Sequence, residues 1–466
     1  MASTTLPTPS LNPDSSSDFN IAIIGAGIGG LALAIGLSHL SIPFTIYESA
    51  PAFSAVGAGV GLGPNALHAM DLIDSRFRKR YMEIATGNLK PEKRHVMMEA
   101  MRMETGLGEG EGWWGNGGWP KGYTGFERTG AHRKDLLDIM TSFIRKEAVF
   151  FNKRVSNMWQ ANNTVTLEFE DGDVVQHAAV VGCDGVKGFS RRIVLGERHP
   201  EHVEPKYTGK YVYRAILPMK DAKRILGDLA TDAKMYMSKG ANISTYPISK
   251  GKQMNIVAFR RDEGMWTGIE STKEVAREEM VKDFTAINLD PRLMELLDCA
   301  KPTRWGIFNH PTTPTYYSSL ICLLGDVAHA SSPHQGAGAG QGLEDSLILY
   351  RVLGRLCHTT SSSVLSTPSP ERLRRIEAAF RAYDEVRRPR AQEQVRTAEE
   401  TGELYQLRDK HGREVRLEDA VRTLNGRFRW IWEGDLDSDV RRAEGRFDEL
   451  VKGLGSRDEA EGSARP

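Results

Sequence analysis

The chain has 466 residues, 61 basic and 61 acidic side chains, 40% hydrophobic and 26% charged residues. That length exceeds one compact core at about 150 residues per domain, and the composition excludes wholesale disorder. Zero net charge with no block of like charge leaves no electrostatic footprint for nucleic acid or an anionic membrane, so neither partner is expected.

Residues 1–18 carry no Lys or Arg and no apolar run, and read as a disordered tail rather than a signal or transit peptide. A short apolar strand, Ile21–Ile24, then leads into Gly25-Ala-Gly27-Ile-Gly-Gly30, a helix from about Gly29 to His39 and a strand at Phe44–Tyr47. Strand, glycine turn, helix and strand make a βαβ unit. The first glycine permits the tight turn, the second lets a pyrophosphate approach, and the third lets helix and strand pack closely. The helix N-terminus offers its free N–H groups to phosphate. Glu48 follows Gly30 by 18 residues, near the spacing of about 20 at which an acid takes ribose hydroxyls. A dinucleotide site is predicted, without separating NAD from FAD. Glycines and Pro43 interrupt the run 21–47, which therefore reads as strand–turn–helix and not as a membrane span.

Leu136, Leu137, Met140, Phe143 and Ile144 recur at helical spacing and predict a helix over Arg133–Lys146. The Gly- and Trp-rich stretch 105–122 reads as an irregular loop or hairpin tip. Apolar residues within 165–170 and 174–181, around Asp171-Gly172, predict a hairpin. Val181-Gly-Cys-Asp184-Gly185 brings a carboxylate to the carboxyl edge of a sheet, where α/β ligands bind; on its own, Asp-Gly is more often a plain turn. The segment 207–260, with Tyr211–Leu217 and Asn255–Phe259, predicts a separate sheet, and 272–299 reads as helical.

An apolar strand at Leu320–Leu324 leads into Gly325-Asp326-Val-Ala-His329, then Pro333-His334-Gln-Gly336-Ala-Gly338-Ala339-Gly340 and a helix over about 338–357 that carries Glu344-Asp345. A second glycine-rich helix entry suits a long ligand gripped at both ends. His329 and His334 have no Cys or carboxylate at ligand spacing, so no metal is expected. Thr359–Pro370 reads as an exposed linker, Ser369-Pro370-Glu371 as a cap and first turn, and 371–406 and 436–453 as charged helices. The four cysteines form no Cys-x-x-Cys pair, which speaks against a disulfide framework and for a reducing, cytoplasmic location. Zincin, α/β-hydrolase and P-loop signatures do not occur.

In this order and at these distances, the three motifs resemble the single-component flavoprotein aromatic hydroxylases, in their salicylate hydroxylase-like branch. The resemblance runs from about Asn20 to Arg396. It includes Ala131-His-Arg133-Lys-Asp-Leu-Leu, Tyr213-Arg214, Thr245-Tyr246-Pro247, Trp305-Gly-Ile-Phe and Arg387-Arg-Pro-Arg390, while Trp430-Ile-Trp432 is similar to fungal members. Val327 stands where such proteins usually have alanine. The resemblance implies FAD as cofactor and NADPH or NADH as co-substrate. Oxygen from O2 would reach a phenolic or aromatic-acid substrate through a C4a-hydroperoxyflavin.

The implied fold is α/β: an FAD-binding, Rossmann-like, doubly wound domain (19–205 and 306–357) with an inserted β-rich substrate domain (206–305). A linker (358–370) and a C-terminal helical region (371–466) complete it. Implied FAD contacts are Gly25, Gly27 and Gly30 with Glu48 on the ADP half, Arg133 and Gly61, and Asp326 at the ribitol–pyrophosphate. Gly338 and Ala339 would bring a helix N-terminus to the flavin ring. Asp184 would serve both FAD and the passing NAD(P)H. Arg214 and Tyr246, on neighbouring β-rich runs, are the implied substrate-activating pair. Competing flavoprotein readings fit less well. Trp430-Ile-Trp432 is followed by Glu-Gly and so departs from the halogenase pattern W-x-W-x-I-P, and a dithiol reductase needs a cysteine pair. A flavin-binding regulator without turnover is the alternative from another class.

Overall fold

The computed structural model describes residues 19–53, 59–104, 112–114, 126–267, 270–285 and 287–463. The tail 1–18 and most of the stretch 105–122 lie outside them. Two sheets organise the rest.

The first is six-stranded, in the order Tyr317–Ser318, Ile321–Leu323, Ala179–Gly182, Ile21–Ile24, Phe44–Tyr47, Val149–Phe150. Every pair is parallel except the first. Ile21 pairs with Ala179 on one side and Phe44 on the other, which leaves Ile21–Ile24 wholly buried, as expected of a strand covered on both faces. The helix Ile28–His39 is buried over most of its length, because it packs against the 22-residue helix Gly338–Thr359 as well as the sheet. That is why its sequence shows no polar stripe.

The hairpin around Asp171-Gly172 forms from Thr164–Phe169 and Val174–His177. The expected second arm, 174–181, is divided: Val174–His177 belongs to a three-stranded antiparallel sheet, and Ala179–Gly182 to the parallel one. Ala178 turns between them, its N–H donating to Asn20 O. The helix expected over Arg133–Lys146 ends at Thr141. There the Thr141 and Ser142 hydroxyls donate back to Asp138 O (3.1 Å) and Ile139 O (2.6 Å), competing for the helical carbonyls. Phe143 and Ile144 still join the same core, so the apolar period outruns the helix.

The second sheet has eight strands, in the order Thr272–Glu274, Thr303–Asn309, Lys206–Pro218, Gln253–Arg261, Ala241–Ile248, Lys234–Ser238, Met98–Arg102, Gly112–Trp114. Gly112–Trp114 falls in the stretch expected to be irregular, and makes an edge strand there. The stretch 272–299 is not continuously helical. It yields a strand and two helices, Arg277–Thr285 and Pro291–Asp298, divided where Asp290 caps Arg292 N–H (2.9 Å) ahead of Pro291. One face of the sheet buries Tyr213, Tyr236, Ile243, Met254 and Ile256 against those helices. Alternation turns Arg214, Asn255, Val257, Ser244, Tyr246 and Met235 to the other face.

Ser369 Oγ accepts Arg372 N–H (3.1 Å) and starts the 36-residue helix Pro370–Tyr405. Its residues Ile376, Phe380 and Tyr383, with Val440 and Phe447 of Leu436–Ser463, complete the core of the parallel sheet. The expected linker holds a short helix, Ser362–Ser366, tied down where Arg372 donates to Leu365 O. No helix among the described residues is long and apolar enough to cross a membrane.

Candidate active site

The glycine turn follows the central strand at the carboxyl edge of the parallel sheet. Gly25 has φ +103°, and a Cβ there would stand 2.6 Å from Cys183 O. A Cβ on Gly30 would stand 2.2 Å from Gly25 O, whereas one on Gly27 would meet open space. The turn therefore excludes side chains behind it and leaves its front free. No side chain caps the helix that starts at Ile28, so its first N–H groups are unclaimed. Glu48 lies beside the turn, its Oε2 accepting Ala26 N–H (2.8 Å) and its Oε1 accepting Ala50 N–H (2.8 Å).

Asp184 follows the strand Ala179–Gly182 at the same sheet edge. Its Oδ2 accepts Ser190 N–H (2.9 Å) and the Ser190 hydroxyl (3.1 Å), while its Oδ1 is sealed without a partner. Burial raises its pKa, against those hydrogen bonds. Its Oδ1 is thus an acceptor left without a partner beside Gly188.

Gly61, Arg133, Arg214, Tyr246, Asp326, Gly338 and Ala339 all line one cavity of about 380 Å³ between the eight-stranded sheet and the long helix. Gly25, Gly27, Gly30, Glu48 and Asp184 stand outside it, at the adjoining sheet edge. The two zones meet where the helices cross, since a Cβ on Gly342 would lie 3.8 Å from Gly29 Cα. Ser346 Oγ also donates to Gly29 O (2.9 Å). Two uncapped helix N-termini thus approach one another, as a long dianionic ligand requires.

Each cavity residue is held by its element. Register places Arg214, Val257, Ser244 and Met235 in one row across four strands, with Asn255 and Tyr246 paired two positions on. The Tyr246 hydroxyl donates to Gly59 O (3.3 Å), on the strand Gly59–Leu62 that carries Gly61. Arg133 opens the helix Arg133–Thr141. Asp326 is exposed, follows the strand Ile321–Leu323, and has its Oδ1 4.0 Å from where a Cβ on Gly338 would sit.

The charges are unevenly matched. Arg214 Nε is buried without a partner, and its guanidinium lies 5.2 Å from the Trp305 ring centroid. No carboxylate pairs with Arg214 or Arg133 among the described residues. Burial lowers the Arg214 pKa, Tyr246 opposes the fall and Arg133 adds to it. Burial raises the Tyr246 phenol, with the positive charges of Arg128 and Arg214 opposing. Tyr213, adjacent to Arg214 in sequence, faces the other side of the sheet and donates to Asp283 (2.6 Å).

Several cavity residues carry no signal in the sequence: Arg128, Asn65, Asn255, Phe126 and Tyr405; Trp432 shows only as part of the stretch similar to fungal members. Phe126 and Trp432 stack at 4.2 Å although they are far apart in the chain. His334 packs against Phe259 and Tyr405, with both ring nitrogens buried and unpartnered, and burial drives its pKa far below the usual range. His329 instead bonds Asp345 (2.5 Å). No cluster of three metal-ligating side chains occurs among the described residues.

Comparison with known proteins agrees with this geometry. Residues 132–383 match the FAD binding domain family. An FAD-dependent monooxygenase of Gibberella moniliformis is 40% identical over 92% of this chain and 96% of its own length. The 6-methylsalicylate 1-monooxygenase of Aspergillus terreus is 35% identical over 94% of each. Among solved structures, a salicylate hydroxylase substrate complex superposes with a TM-score of 0.76 at 28% identity, over 92% of this chain and 98% of that one. The chain belongs to the FAD-dependent monooxygenases of the salicylate hydroxylase type.

Proposed function

We propose that this enzyme hydroxylates a phenolic or aromatic-acid substrate with O2 and NADH or NADPH. The observation that supports this most is Arg214, a buried cation on the cavity wall with no acid to match it, beside Tyr246.

The residues fit FAD on their own geometry: a turn with no room behind it, open space in front of Gly27, and two free helix N-termini. Gly25, Gly27, Gly30 and Glu48 would hold the ADP half. Gly61, Arg133, Asp326, Gly338 and Ala339 would hold the flavin half, with the long helix favouring negative charge on the ring. When bound and reduced by NAD(P)H, FAD supplies the activated oxygen drawn from O2.

The chain's own task is then to make the substrate ring electron-rich. A phenol has an intrinsic pKa near 10 by analogy with tyrosine, so about one molecule in a thousand is ionised at pH 7. A guanidinium at hydrogen-bonding distance stabilises the phenolate, and more strongly where water is excluded. Arg214 would supply that charge, Tyr246 would orient the same oxygen, and Phe126 and Trp432 would keep water from the ring.

Arg214→Lys and Tyr246→Phe test the assignment. Both should retain FAD and form product at least about tenfold more slowly, with part of the NAD(P)H oxidation diverted to peroxide. Near-normal hydroxylation by both variants at saturating substrate would overturn it.

A further inference from the structure

Among the described residues, three thioethers line the cavity: Met97, Met98 and Met235. They share it with Gly61, Asp326 and Gly338, the proposed flavin contacts. Met98 opens the strand Met98–Arg102, which pairs with Lys234–Ser238, and Met97 stands just before it. Met98 is 6% exposed and Met235 3%, so both are closed in by the core they pack into. The Met235 sulfur also accepts from Asn242 Nδ2 (3.3 Å). Met97 is half-buried and the most open of the three.

The Met97 sulfur also has a cation beside it. It lies 3.4 Å from Arg128 Nη1, which donates to Met97 O as well (2.8 Å). Arg128 is 7% exposed, its backbone N–H donates to Arg94 O (3.1 Å), and no acid stands beside it among the described residues. A thioether is a weak acceptor and compensates a buried cation poorly. A sulfoxide oxygen on the same sulfur would accept a charge-assisted hydrogen bond from that nitrogen.

We propose that Met97 is a modification site, oxidised to the sulfoxide by hydrogen peroxide released into the enzyme's own cavity, with Arg128 promoting the step. This rests on the reading above in its use of NAD(P)H and O2, and goes beyond it in giving a fate to oxygen that misses the substrate. When activated oxygen is lost without reaching a ring, the electron pair from NAD(P)H leaves as hydrogen peroxide. The Met97 sulfur lone pair then forms an S–O bond to one peroxide oxygen while the O–O bond breaks. Hydroxide departs and takes the proton from the sulfur-bound hydroxyl, so the products are sulfoxide and water. Sulfur is oxidised and peroxide reduced by the same electron pair. Arg128 stabilises the negative charge that develops on oxygen during the transfer.

The test maps methionine oxidation by peptide mass in the FAD-loaded full chain under isotopically labelled O2, so that oxidation during handling carries no label. The first arm contains NAD(P)H, no aromatic substrate, and catalase to destroy peroxide that escapes. Label should appear at Met97 ahead of Met98, Met235 and Met265. Met265 is 89% exposed and reports peroxide in bulk water. In the second arm labelled hydrogen peroxide replaces NAD(P)H and catalase, and the order should reverse, with Met265 ahead of Met97. Arg128→Gln should slow labelling of Met97 about tenfold for the same NAD(P)H consumed. Met265 leading in the first arm, or one order in both arms, would overturn the proposal, and the wild type decides this without the variant. Unchanged labelling of Met97 in Arg128→Gln would overturn the promoting role. Failure to consume NAD(P)H with or without any phenol would instead overturn the reading above, and this proposal with it.

Discussion

Arginine stands in two opposite settings in this enzyme. Beneath the long helix, Arg387 is fully buried and its guanidinium meets Glu344 (2.6 Å), Asp345 (2.8 Å) and Gln341 Oε1 (2.8 Å). Arg390 reaches Glu344 (2.7 Å) and the carbonyls of Trp430 and Ile431. Around the cavity, Arg128 and Arg214 are buried with no acid beside them. Burial would raise Glu344 and Asp345, yet Arg387, with Arg390 and His329, holds both below the ordinary carboxylate range. Nothing comparable meets the cavity arginines, whose pKa burial lowers. The first setting completes its charges within the fold and locks the C-terminal helices to the long helix Gly338–Thr359. The second leaves them for a ligand to complete.

Cutting the matched side should do the most damage. Arg387→Met leaves Glu344 with Arg390 and Asp345 with His329 but removes the charge they share, and a loss of about 3–5 kcal/mol is expected, seen as a lower melting temperature or poor soluble yield. A melting curve identical to the parent's would place the two regions on the same footing. Next come the proposed cofactor contacts. Glu48→Ala and Asp326→Ala should each weaken FAD binding about tenfold or more, measured as flavin retained after dialysis, with the chain still folded. Full occupancy in both would remove the ribose and ribitol assignments.

Acid should then separate the regions by pH. Asp345 is held at about 2, below its unfolded value near 3.8, so its contribution is present above about pH 4 and is lost as the pH falls toward 2. A shift of that size is worth roughly 2 kcal/mol. Stability that stayed flat between pH 5 and pH 2, both on the order of the usual acid range, would contradict the matched-charge account. The smallest effect belongs to the cavity: Arg214→Met, which removes an unmatched cation, should leave the denaturation midpoint within about 1 kcal/mol of the parent or raise it, while product formation falls.

Much of the glycine turn and of the long C-terminal helix was legible in the chain because the signals there are local. Gly25 to Gly30 and Glu48 fall in one βαβ span, and backbone sterics alone require the glycines. Ser369-Pro370 announces its helix in the same way. The cavity was legible only where the family resemblance pointed. Arg214, Ser244 and Met235 share a row solely through strand register, which no short window encodes. Arg128 lies in no recognisable motif, and the Phe126–Trp432 stack closes over hundreds of residues.

The most direct test of the central claim follows isotopically labelled O2 through the FAD-loaded enzyme with NAD(P)H and a panel of hydroxybenzoates. One labelled oxygen atom should enter the product ring with the wild type. Arg214→Lys, equally yellow and equally stable, should consume NAD(P)H with little labelled product. Undiminished labelling by Arg214→Lys, or none from the wild type with any phenol, would contradict the assignment of the unmatched cavity charge to the substrate.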